Sequence, residues 1–115
     1  MSLRWPVKDP DETLDYSVDW SRFLGDGVTI SAVTWYVKTA DQAKIDLESG
    51  ETLTAASGGA VTDSIQNVSQ TNTDTVATIN IGGGEAPSEY TFYCTITDTS
   101  GSTAERSIKL WVREK

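Results

Sequence analysis

Residues 13–20 alternate strictly: Leu14, Tyr16, Val18 and Trp20 interleave with Thr13, Asp15, Ser17 and Asp19. A period of two marks a strand with one dry face and one wet face. Asp15 and Asp19 therefore fall on the wet face because the pleat puts them there. The rhythm breaks over residues 21–27, where a short turn of helix is expected with Phe23 and Leu24 pointing inward. Gly25 and Gly27 then turn the chain around Asp26, since glycine tolerates positive φ. A second strand follows over residues 28–39. Ile30 and Ala32 share one phase; Val33, Trp35 and Val37 share the other. That slip of one residue predicts a β-bulge near Ser31–Val33, although burial on both faces would give the same pattern.

Residues 40–59 carry the weakest pattern. Ile45 and Leu47 alternate, Leu53 stands nearly alone, and Gly58–Gly59 mark a turn. A turn of helix and a ragged edge strand both fit. Residues 60–84 read as two short strands, Ile65 and Val68 inward in the first, and Ala77, Ile79 and Ile81 in the second. A turn is expected at Gln70–Asp74, and Gly82–Gly84, Pro87 and Ser88 make the next loop. The closing hairpin is the clearest feature. Tyr90, Phe92, Cys94 and Ile96 alternate with Thr91, Tyr93, Thr95 and Thr97, then DTSG turns the chain, and Ile108, Leu110 and Val112 alternate with Lys109 and Trp111. About seven short strands with turns every ~8–12 residues predict an all-β, immunoglobulin-like β-sandwich. Trp35 on a middle strand suits it. So does Tyr90, either as a corner tyrosine bonding back to the preceding loop or as an ordinary half-buried one.

Pro6 and Pro10 make the opening stretch extended and non-helical. The expected organisation is an N-terminal arm over residues 1–12 and a sandwich domain over 13–115. The length of 115 residues suits one domain with its own core. No run approaches the ~20 apolar residues of a membrane helix, and the first residues lack the apolar segment of a signal peptide.

Charge and composition remove several function classes. Seventeen acids against nine Lys and Arg give −8, which disfavours nucleic acid and anionic membranes and suits a neutral or basic partner. The chain has no histidine and one cysteine. Ser–His–Asp and Cys–His catalysis cannot be built from it, and no internal disulfide can form. Asp9, Asp11, Glu12 and Asp15 cluster, but without the spacing of a calcium-binding EF loop, so a solvated acidic arm is favoured over a metal site. Asp15 and Asp19 lie about 13 Å apart along a strand, too far for a glycosidase pair. GGGEAP lacks the spacing of a phosphate loop, and no helix follows it. Cys94 shares the phase of Phe92 and Ile96 and acts as a small hydrophobe. No catalytic residue, metal or cofactor is assigned.

Three aromatics stand out as interface candidates: Trp5 in the arm, and Tyr93 and Trp111 on the outward phase of the closing hairpin. Large exposed aromatics anchor interfaces. Taken singly, each is more readily explained by cover from within the monomer.

The stretch KDPDETLDYSVDWSRFLGDGVTISAVTW, followed by INIGGGEAPSEYTFYCTITDTSGSTAERSIKLWV, resembles a family of small tailed-bacteriophage and prophage virion proteins, described as fiber–tail adaptor or tail-associated immunoglobulin-like proteins. The likeness covers roughly the first and last thirds; residues 39–74 match nothing in it. Many members read SGR in the final hairpin where this chain reads SGSTAER, with Arg106 the arginine that remains. The resemblance implies a structural, non-enzymatic protein of a virion or tail-like particle. Its expected partners are other virion or tail proteins, with homo-oligomers on assembly. It would be assembled in the bacterial cytoplasm, which the unpaired cysteine suits. Removing residues 1–12 is expected to weaken assembly and leave the fold intact. The alternative is an immunoglobulin-like recognition module that stacks Tyr93 and Trp111 on a carbohydrate or binds a cell-surface protein.

Overall fold

The alternating segments become strands of two facing sheets. The structure, a computed structural model, describes residues 3–38, 44–51, 65–84 and 86–114, leaving aside the side chain of Leu3. Among these residues there are eight strands and no helix: β1 (Leu3–Arg4), β2 (Leu14–Asp19), β3 (Ile30–Lys38), β4 (Ile45–Asp46), β5 (Gln66–Asn72), β6 (Val76–Gly82), β7 (Ser88–Asp98) and β8 (Thr103–Val112). One sheet runs β1-β8-β7-β3-β4 and the other β2-β6-β5. Every pairing is antiparallel except β1 on β8. The chain is an all-β sandwich, as its two-residue rhythm predicts.

The inward phases interlock into one core. Tyr16, Val18, Ala77, Ile79 and Ile81 come from the small sheet. Trp35, Val37, Tyr90, Phe92, Cys94, Ile96, Ile108, Leu110 and Val112 face them from the large one. Tyr90 is fully buried rather than half-buried. The bulge expected near Ser31 is present, as a register shift between Ile30 and Ala32 against β7. Of the two readings of residues 40–59, the edge strand holds at β4, and Leu47 is buried beside it. Leu53 and the Gly58–Gly59 turn lie outside the described residues.

Two inward assignments are corrected. Phe23 is 40% exposed, resting edge-on against Trp20, because the turn after β2 leaves its ring outside while Leu24 packs inward. Val68 is 41% exposed. A second bulge, between Asn67 and Ser69, turns it outward and carries Asn67 into the interior. The expected turn at Gln70–Asp74 is also tighter, since β5 runs on to Asn72.

Each open side of the sandwich is crossed by a staple. On one side the N-terminal stretch is extended, as expected, but lies along β8. The Trp5, Lys8 and Arg113 amides donate to the carbonyls of Lys109, Trp111 and Lys8. From the same stretch, the Trp5 indole N–H donates to the Ser17 carbonyl of β2, and the Tyr16 hydroxyl donates to the Pro6 carbonyl. On the other side, Gly50 donates to the Asn67 carbonyl at 2.7 Å and Asn67 donates to Glu51 at 3.0 Å. The Asn67 side-chain amide reaches the Leu47 carbonyl at 2.9 Å.

Candidate functional site

Pleating gives the sandwich two different outer faces. The small sheet shows Asp15, Ser17, Asp19, Thr71, Thr78 and Asn80, with no aromatic and no Lys or Arg among its described outward residues. The large sheet shows Tyr36, Tyr93 and Trp111, the cations Arg4, Lys38, Lys44 and Lys109, and the carboxylates Asp46, Glu89 and Glu105. Four of the nine cations of an acidic chain thus gather on one face.

That face is organised by cross-strand pairs. Tyr36 of β3 stands directly opposite Tyr93 of β7, and Tyr93 opposite Ser107 of β8. The Lys44 ammonium lies over both rings, 4.7 Å from the Tyr36 centroid and 4.8 Å from that of Tyr93. It meets the Glu105 carboxylate at 2.8 Å. Thr95 donates to the same carboxylate oxygen at 2.8 Å. The Lys44 hydrogen bond holds Glu105 below the usual carboxylate range, and Glu105 in turn raises Lys44. Two rungs along, Trp111 pairs with Glu89. Glu89 receives Arg4 at 3.3 Å and Lys109 at 3.5 Å. The strand rise sets Trp111 about 13 Å from the Tyr93 rung.

Of the three interface candidates, Tyr93 and Trp111 share this face and are half-buried. Trp5 is not on it. It is 8% exposed and packs in the core against Tyr16, Trp35 and Phe92, because β1 pairs with β8 and brings the arm over the gap between the sheets. Tyr36 and Lys44 escape the sequence reading. Tyr36 had a signal, since it alternates with the inward Trp35 and Val37. Lys44 had none, because it lies in the stretch of weakest pattern.

The acids near the N-terminus build local structure. Asp9 Oδ1 accepts the Asp11 amide at 2.8 Å, and Glu12 Oε1 accepts the Asp9 amide at 2.9 Å. Asp15 accepts the Asn80 side-chain amide at 2.7 Å, and Asp19 accepts the Ser21 amide at 2.8 Å. Among the described residues no three His, Cys, Asp or Glu side chains gather as metal ligands. Lys8 is a buried cation that sequence reasoning passed over; its ammonium donates to the carbonyls of Gly83 and Asp9. The GGG loop is thereby tied to the arm. Gly84, at φ 101°, lets the backbone pass where a Cβ would stand 3.1 Å from Ile65. Cys94 is buried, and burial pushes its thiol up to about 12, against the smaller opposing pull of the Trp20 indole and Arg106. Arg106 itself stacks over the Trp20 ring at 4.8 Å.

A cavity of about 320 Å³ opens at the β3–β4 edge, lined in part by Trp35, Asp46, Glu48 and Gln70. It brings the Asp46 and Glu48 carboxylates near the Thr34 and Ser49 hydroxyls, the Gln70 amide and the Trp35 indole.

No curated protein matches the chain. A family profile described as the podophage GP4 fiber-tail adaptor protein gp77 matches residues 8–61 and 42–111, the second match alone spanning more than half the chain. The chain belongs to this podophage fiber-tail adaptor family.

Proposed function

We propose that the protein is a non-enzymatic connector in a tailed-phage particle, binding tail or fiber proteins through the outer face of its large sheet. The observation that carries this reading is the concentration of Tyr36, Tyr93 and Trp111 on one face of a family member whose other face has no aromatic among its described outward residues. Half-buried aromatics ringed by polar groups are the composition of an interface core. Tyr93 and Trp111 are the proposed contact residues, while Trp5 holds the arm beneath them. The charge of −8 supports protein partners over nucleic acid or an anionic membrane. The same reading takes the sandwich as immunoglobulin-like. The orders β2-β6-β5 and β3-β7-β8 match strands B-E-D and C-F-G of that fold. It also places the protein in the host cytoplasm during assembly and in the virion afterwards, in several copies.

The test is a Tyr93→Ala, Trp111→Ala double variant co-expressed with the tail and fiber proteins of a podophage particle. Recovery in assembled particles should fall at least about tenfold, with the melting temperature nearly unchanged, as expected for anchor residues. Recovery at the parental level overturns the assignment of this face. Glycan-array binding that vanishes in the same variant would support the carbohydrate-recognition alternative instead.

A further inference from the structure

We propose that Tyr36, Tyr93 and Glu105 form a slot for a cationic side chain, Lys or Arg, of the partner protein, and that Lys44 occupies this slot in the isolated chain. The inference rests on the outer face of the large sheet being the docking face, and it names the chemistry that face selects.

The slot has the parts that recognise an alkylammonium or a guanidinium: two aromatic faces and one carboxylate. Lys44 shows that the geometry accepts a cation, since its nitrogen sits 4.7 and 4.8 Å from the two ring centroids and 2.8 Å from the carboxylate. The Thr95 hydroxyl donates to the same carboxylate oxygen at 2.8 Å and fixes it. Cross-strand pairing fixes the rings relative to each other. The occupant is exchangeable. The side chains of Lys44 and Glu105 are 38% and 37% exposed, and an ion pair so open to water contributes little net stability. An incoming arginine does more than replace it. Its plane stacks on a tyrosine while its fork meets both carboxylate oxygens. The overall charge of −8 draws a basic partner toward the chain, and once Lys44 swings out the face itself keeps three cations, Arg4, Lys38 and Lys109, against the carboxylates of Asp46, Glu89 and Glu105. Displacement also frees the Lys44 ammonium to pair with a carboxylate of the partner, so an exchange of ion pairs accompanies docking.

The experiment titrates the full chain and its Lys44→Ala variant with N-acetyl-arginine amide, following the tyrosine ring signals by NMR. N-acetyl-citrulline amide, neutral and of similar shape, is the control. In Lys44→Ala the Tyr36 and Tyr93 signals should move and saturate with the arginine probe and stay still with citrulline. The parent should need roughly threefold more probe, the competition expected from an exposed ion pair. Adding Glu105→Gln to Lys44→Ala should remove the preference for arginine. Lys44→Gln, which keeps part of the side-chain stem, should behave as Lys44→Ala and guards against a folding defect. Ring signals that stay fixed in the Lys44 variants overturn the slot. Equal half-saturation in parent and variant, or an equal response to citrulline, overturns it too. None of these results bears on particle recovery of the Tyr93→Ala, Trp111→Ala variant, so slot and docking face fail separately.

Discussion

The Trp5 indole lies on the Tyr16 ring, centroids 4.8 Å apart and planes inclined by 25°. Trp5 comes from the stretch along β8 and Tyr16 from β2, so the pair joins the two sheets across the open side of the sandwich. Trp5→Ala should therefore destabilise the fold by about 3–5 kcal/mol, the range for losing a large buried aromatic. Urea denaturation gives the number. Deleting residues 1–12 should cost more, contrary to the expectation that the arm is dispensable for folding. A loss below about 1 kcal/mol for Trp5→Ala would mean that the indole is not part of the core.

The bulge in β5 makes a paired prediction. Asn67 faces inward and joins the Leu47 carbonyl to the small sheet, whereas its neighbour Val68 faces water. Asn67→Ala should cost about 1–3 kcal/mol by leaving buried groups without partners. Val68→Thr should stay within about 0.5 kcal/mol, as surface changes do. Thermal melts of the two variants compare them directly, and the reverse order would place the bulge elsewhere.

At alkaline pH two buried acids oppose unfolding less and less. Burial raises Tyr16 from 10.0 to about 12, and Cys94 from 9.0 to about 12. Below pH 9 both groups are protonated folded and unfolded, so their contribution is intact. Above it the unfolded chain ionises first, and stability declines up to about pH 12. The slope is at most about 1.4 kcal/mol per pH unit for each group. Urea midpoints at pH 8, 10 and 11 should fall in that order, and Tyr16→Phe should flatten the decline above pH 10. A Tyr16→Phe curve parallel to that of the parent would remove Tyr16 from this account.

The last hairpin predicts acid sensitivity. Asp98 Oδ1 accepts the Ser100 hydroxyl at 2.6 Å and the amides of Ser100 and Ser102 at 2.9 and 3.0 Å. The Ser100 hydroxyl, followed by these amides, holds the carboxyl below its ordinary 3.8. The stability it contributes is full above that ordinary value and is lost as pH falls through the lower folded one. Asp98→Asn should weaken the fold at pH 7 and shrink the difference in stability between pH 7 and pH 3. Chemical denaturation at the two pH values measures both.

How much could be read in advance depended on what fills each inward position. The closing hairpin and β2 were legible because their inward residues are apolar except for Asp98 and Arg106 near the hairpin turn, and their outward residues are mostly polar. The Ser31 bulge showed because it shifts an apolar phase. The Val68 bulge did not, because β5 turns polar Asn67 inward and its single large apolar residue outward, which inverts the rule. Trp5 escaped because its burial depends on pairing with β8, about a hundred residues away in sequence, while the nearby prolines announce only an extended chain. The docking face was half visible. Tyr93 and Trp111 followed from strand phase, but Lys44 reaches the tyrosines from a segment whose own pattern says little.

The Trp5 indole N–H on the Ser17 carbonyl bears on one more property, at the outer edge of β2. If two molecules met there antiparallel about Ser17, Asp15 of each would confront Asp19 of the other, on a sheet whose described outer surface offers no Lys or Arg to compensate. Pairing of two copies along this edge is thus discouraged at neutral pH, by the facing aspartates and by the indole already seated on the Ser17 carbonyl.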